Sequence, residues 1–335
     1  MKKLIGFLLV ALSLCSGVFA QENNFITEGI KMHDKGDYEG AIKFFKKALL
    51  SDKSSIHANY ELASSYLAMK DYANALKYAD KVIARNLDYV DQAYILKGSA
   101  LDLSGRKPEA VNTYKLALKK FKTNHLLYYN LALTSFNLKN YKEAEDALQK
   151  ALKLNPLHAS SHFLLGMSMI SQKKRAQAVL ALYNFLLLEP KTKRSASALL
   201  ALEGEWKNVG KLKAGSKNLP AEKEEDEFGT ATLMMDMLEA AKMNETNKNK
   251  PDITLFAGNT NMIFTILGEA KKGKKGFWWN FYVDYFYTLA NNHHTEALCY
   301  YITQSRGDTY DVWLKENLSK MEALSEWYTI YLHKY

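Results

Sequence analysis

The sequence predicts an all-α protein, a stack of helical hairpins followed by a helical C-terminal domain. Three observations carry this. The stretch "GDYEGAIKFFKKAL", Gly36 to Leu49, returns in degraded copies every 34 or 35 residues. Outside those copies, apolar residues recur at helical spacing and no run alternates with the period of a strand. Five prolines and 17 glycines in 335 residues are too few for a turn-dense β fold.

Five units align across residues 22–192. Gly29, Ala63, Gly98, Ala132 and Gly166 form one column of small residues, and Ala41, Ala75, Ala110, Ala144 and Ala178 form a second. Both columns step by 34, 35, 34 and 34 residues, with the extra residue near Tyr89. A helix buries one apolar stripe, and two helix axes approach closely only where a small residue sits at the crossing. Each unit therefore supplies two helices with one small residue apiece. The turn falls between the columns, at Gly36-Asp37, Lys70-Asp71, Gly105-Arg106, Lys139-Asn140 and Lys173-Lys174. Glycine, Asp and Asn there suit a tight connection. "SASALLALEGEW", from Ser195, reads as a capping helix over the last apolar face.

This pattern resembles the tetratricopeptide repeat (TPR) family, whose units have a 34-residue period and two helices. The family's turn aromatic matches Tyr38, Tyr72 and Tyr141, and its third small residue matches Ala48, Ala117 and Ala151. Its unit-ending proline matches Pro156 and Pro190. Lys107 and Arg175 depart at the turn aromatic, and Val82 and Phe185 depart at the third small residue. The resemblance implies a superhelix of five repeats plus a cap over residues 22–206, with the first helices lining a groove that binds protein partners. The groove positions read Tyr60, Ile95, Tyr129, Phe136 and Phe163, an apolar and aromatic lining suited to an apolar or amphipathic segment. Some of these residues, Phe163 above all, read equally as inter-repeat core. The occupant is a separate protein or the chain's own C-terminal region. Asn130 matches one position of the family's carboxylate clamp, but Ile95 and Ser99 replace its partners, so a clamp is not expected.

Lys2 and Lys3, an apolar run from Leu4 to Leu14 and the small-residue end Val18-Phe19-Ala20 have the layout of a secretory signal peptide over residues 1–20. The run is short for a membrane span of roughly 20 apolar residues. "LSLC" before Ser16 resembles a lipobox, yet Leu14 is large where that motif wants a small residue. Without the signal, Cys299 is the remaining cysteine, so no intrachain disulfide is expected. The formal charge of +9 is spread along the chain, which does not suggest a nucleic-acid partner. Export to the periplasm or cell envelope of a Gram-negative bacterium is the expected destination.

Residues 207–228 carry five lysines and five acids and read as a solvated linker. Residues 229–335 read as a separate helical domain. Within it, Phe277, Trp278, Trp279, Phe281, Tyr282, Tyr285, Phe286 and Tyr287 crowd eleven residues. One stripe cannot bury all of these rings. Either this helix is surrounded, or Trp278, Trp279, Tyr282 and Tyr285 face a ligand such as a glycan.

Catalytic readings are weak. His293, His294 and Cys299 lack the further ligand of a zinc site and the orienting group of a nucleophile pair. "GEAKKGKK", from Gly268, nearly spells a phosphate loop, but Lys275 stands where Ser or Thr is required and no strand precedes it. No metal, cofactor or catalytic residue is expected. The expected function is a non-enzymatic exported scaffold, with envelope glycan binding through the aromatic cluster as the alternative.

Overall fold

The computed structural model describes residues 22–207, 227–242, 247, 250–307 and 309–332. The expected signal segment with Cys15, and most of the expected linker, lie outside the described residues. Every regular element among the described residues is helical.

Ten helices follow in five successive pairs, with bounds close to those the repeat register predicts. They are α1 (residues 22–34) and α2 (Tyr38–Ser51), α3 (Ile56–Ala68) and α4 (Tyr72–Arg85), α5 (Val90–Leu103) and α6 (Lys107–Lys120), α7 (His125–Asn137) and α8 (Tyr141–Leu154), and α9 (Ala159–Ser171) and α10 (Arg175–Leu188). The expected cap follows as α11 (Lys193–Lys207).

The turns repeat in atomic detail. Gly36, Lys70, Gly105, Lys139 and Lys173 all adopt left-handed backbone with φ of 61–86°. The next residue donates its N–H to the carbonyl five positions back in all five turns, as in Asp71 to Tyr66 at 2.9 Å. This is the Schellman helix end, which satisfies orphan carbonyls and favours glycine. Asp37 and Asp71 then cap the following helices by accepting from the N–H groups of Gly40 and Asn74.

The small columns do the packing expected of them. A Cβ on Gly29 would stand 2.4 Å from the Phe45 ring, and one on Gly98 2.3 Å from the Tyr114 ring. The five alanines of the second column are fully buried.

Packing divides the chain at Asn140/Tyr141 rather than at the expected linker. The first unit holds α1–α7. The second holds α8–α11 together with α12 (Gly229–Ala241), α13 (Asp252–Ala270), a π-helix (Trp278–Val283), α14 (Asp284–Asn291), α15 (Thr295–Ile302), a 3₁₀ turn (Gln304–Arg306) and α16 (Thr309–Leu332), which kinks at Asn317. The expectation of a C-terminal domain separate from residues 22–206 is corrected accordingly.

The physical reason lies in α10. Its sequence, RAQAVLALYNFLLL, is apolar all round, and twelve of its fourteen residues are buried. Such a helix needs cover on every side. α12, α15 and the π-helix provide it. Tyr183 sits at the centre, edge-on to Phe264 at 5.2 Å and to Phe286 at 6.0 Å. Its hydroxyl meets Thr260 Oγ1 at 2.5 Å and accepts from Trp206 Nε1 at 3.2 Å. Arg175, at the start of α10, pairs with Asp236 of α12 and donates to the carbonyl of Glu205 at the end of α11.

Candidate functional site on the first helices of the array

The predicted groove residues occupy one register position per repeat, apart from Phe136, which lies two turns further along α7. Tyr60, Ile95, Tyr129 and Phe136 belong to the first unit and Phe163 to the second. All five are half-buried, which suits residues that pack on one side and present the other.

Tyr60 is the best defined. Its ring stacks on Tyr89 at 5.0 Å, and Tyr89 stacks in turn on His57 at 5.2 Å. Tyr89 stands where the second repeat carries its extra residue, and it holds a left-handed φ of 60°. The insertion thus places a ring across the start of α3. His57 also approaches Glu61 at 3.4 Å. Burial, with Glu61 a lesser cause, raises the Tyr60 phenol above its ordinary value, so the hydroxyl remains a hydrogen-bond donor at neutral pH. Phe163 leans on Phe185 at 5.0 Å. Phe185 replaces the third small residue of its repeat, so this part of the column is shared with the core.

The aromatic cluster of residues 277–287 is placed differently. Trp279 is 1% exposed and Tyr282 0%, while Tyr285 is buried and Trp278 half-buried. The reading of Trp279, Tyr282 and Tyr285 as part of a glycan platform is corrected, since stacking a sugar needs an open ring face. The rings are spoken for by neighbours. Trp279 stacks on Phe228 at 4.6 Å, donates Nε1–H to Glu227 at 2.6 Å and lies under Lys274 at 4.5 Å. Trp278 donates to Glu145 of α8 at 3.1 Å. Tyr285 packs against Phe286 and Trp327. The π-helix widens the turn through this stretch and spreads rings that one α-helical stripe cannot bury.

Tyr282 makes a fully buried polar contact. Its hydroxyl meets Nδ1 of His162 at 2.6 Å, and His162 Nε2 meets the Pro156 carbonyl at 2.8 Å. A carbonyl only accepts, so Nε2 carries the proton and Nδ1 accepts from the phenol. Burial, outweighing the Pro156 hydrogen bond, holds the imidazole near 4. It is neutral at physiological pH.

These contacts also bear on the groove. Glu145 lies on α8 and Tyr183 on α10, both second helices of their pairs, and α10 carries the broadest contact with the C-terminal elements. Phe163, Met167 and Ile170 stay half-buried on α9. The C-terminal region also touches the first helix α9, through Tyr282 on His162.

Cys299 is fully buried, and burial pushes its thiol up to about 12. It is a small core side chain rather than a nucleophile. Among the described residues, no three His, Cys, Asp or Glu side chains converge as a metal site would require.

Repetition missed one motif. His293 is left-handed, and His294 donates to Leu289 at 3.1 Å, as in the five array turns. α14 and α15 are thus joined by the same connector. "NHHTEALCYY", Asn292 to Tyr301, carries a faint echo of "GDYEGAIKFF" that could have signalled it.

Comparison with known proteins agrees with the repeat register. Tetratricopeptide repeat models match residues 32–99 and 125–157. A TPR repeat-containing protein of Methanocaldococcus jannaschii is 28% identical over 131 residues, covering 38% of this chain and 22% of its own length. The chain thus spans about a fifth of that curated relative. Among solved structures, PilF of Pseudomonas aeruginosa aligns with a TM-score of 0.49 at 19% identity, covering 60% of this chain and 95% of that one. A thermophilic TPR protein of Thermus thermophilus aligns with a TM-score of 0.46 at 23% identity, covering 53% and 99%. The repeated small columns and the five Schellman turns agree with these two matches, which place tetratricopeptide repeats at residues 32–99 and 125–157.

Proposed function

We propose that the chain is a non-enzymatic scaffold of the cell envelope that binds an apolar or amphipathic segment of a protein partner along the first helices of its first unit. The observation that carries this reading is the column Tyr60, Ile95 and Tyr129, with Phe136, one half-buried large side chain per repeat. Ring and aliphatic surfaces held by a rigid stack lose little entropy on binding, and interface hot spots are enriched in such aromatics. The charged amino-terminal pair, apolar run and small-residue end of residues 1–20 support export.

The test is affinity purification from native envelopes with the parent chain and with Tyr129→Ala plus Phe136→Ala. The expected outcome is loss of a specific partner at unchanged helicity. An unchanged set of captured proteins would remove the groove reading. Recovery of the parent chain from the cytoplasmic fraction with residues 1–20 intact would remove the export reading.

A further inference from the structure

The second helices carry a repeated feature of their own. Where two successive second helices flank a first helix, the register leaves a groove between them. Two such grooves lie in the first unit and one in the second, and aromatic rings fill two of the three. Between α2 and α4 the array supplies the rings itself. Tyr66 stacks on Tyr78 at 5.6 Å and 7°, both are buried, and Lys46 lies 5.7 Å over Tyr66. Between α8 and α10 the π-helix and the residue before it supply them. Trp278 donates to Glu145, which also pairs with Lys174 at 2.8 Å, and Lys153 lies 5.9 Å over Phe277.

The third groove, between α4 and α6, is open. Leu101 and Thr113 hold the register positions of Tyr66 and Tyr78, and the smaller side chains leave a cleft of about 430 Å³. Leu76 and Arg106 line it at the positions that Glu145 and Lys174 hold in the filled groove. Asp80 pairs with Lys97 at 2.7 Å on one wall, and Arg106 pairs with Glu109 at 2.6 Å on the other. Leu116, 53% exposed, forms the rim.

We infer that the cleft between α4 and α6 is a docking site for an indole or phenol ring presented on a helix of a protein partner. Leu76 and Leu101 offer the ring an apolar floor. Asp80 and Glu109 offer carboxylate acceptors for its N–H or O–H, as Glu145 does for Trp278. The site is distinct from the first-helix column. A second copy of this chain is a poor source of the ring, because Trp278 is already bonded to its own Glu145 and Trp279 and Tyr282 are built into their own core.

The probe is a peptide of residues 276–292 carrying 5-fluorotryptophan at position 278, titrated with the full chain and read by fluorine NMR. A saturable shift is expected. Thr113→Tyr, which puts the Tyr78 ring into the cleft, is expected to weaken it about tenfold, as is Leu116→Glu. Leu200→Glu on α11 is expected to leave it unchanged. Leu116→Glu alters an exposed side chain and decides the matter by itself should Thr113→Tyr fold poorly. No saturable shift at millimolar peptide, or equal affinity in both cleft variants, would overturn the inference. So would a full-chain dimer in sedimentation that Thr113→Tyr dissolves, because the occupant would then be a second copy.

Discussion

At the scale of single residues, small size and lost charge decide the outcome. Gly98 sits in a helix, where alanine gains about 1 kcal/mol of propensity. Its Cβ would nonetheless stand 2.3 Å from the fully packed Tyr114 ring. Overpacking of this kind costs ~1–3 kcal/mol, so Gly98→Ala is expected to lower stability in urea unfolding. Gly204, with nothing within 4 Å of a built Cβ, is the control. Gly204→Ala is expected to gain about 1 kcal/mol. His162 gives a pH signature. Unfolded, it takes a proton near 6.5; folded, only near 4. The unfolded state therefore binds more protons between these values. Stability is fully present above about pH 6.5 and falls as pH drops towards 4, by about 3 kcal/mol. Urea unfolding across that window checks this, and His162→Gln should flatten the slope.

At the scale of elements, the amphipathic helices of the array contrast with α10. α4 and α8 carry clear stripes and leave one side to solvent, whereas α10 carries none. The buried Arg175–Asp236 pair anchors its first turn to α12. Removing one partner of such a pair leaves an uncompensated charge and costs about 3–5 kcal/mol. Asp236→Ala is expected to lower the melting temperature accordingly, and Asp236→Glu to recover part of the loss, both read by circular dichroism. A melting temperature unchanged in Asp236→Ala would show that the guanidinium is satisfied by the Glu205 carbonyl alone.

At the scale of the whole molecule, the last repeat belongs to the C-terminal helices. A chain ending at Lys207 would bare the apolar surface of α10, including Tyr183, which packs on Phe264 and Phe286. It is expected to aggregate or to lose cooperative melting of α8–α11, seen by light scattering and circular dichroism. A soluble truncated chain that melts as sharply as the full one would show that α10 tolerates solvent.

The repeat was legible because stacking imposes the same small residues at the same spacing in every unit, so five weak signals add. The turns were legible as positions but not as conformations. Lys70, Lys139 and Lys173 take the left-handed backbone that glycine takes in the other two turns, at a cost of about 1–2 kcal/mol each that packing offsets. The aromatic run was legible as too dense for one stripe, yet composition could not say whether the surplus rings faced a ligand or a neighbour. The all-round apolarity of α10 was the overlooked clue, since a helix without a polar face demands partners from elsewhere in the chain.

By itself the sequence determined the helices, their pairing register and the columns that let them stack, because those depend on contacts within about one repeat length. Only the tertiary structure decided that Trp279, Tyr282 and Tyr285 are core, that His162 is neutral and buried, and that packing divides at Asn140 rather than at the linker. Those outcomes depend on contacts between residues far apart in the chain, such as His162 with Tyr282 and Glu145 with Trp278. Local periodicity carries no information about which distant surface completes a helix.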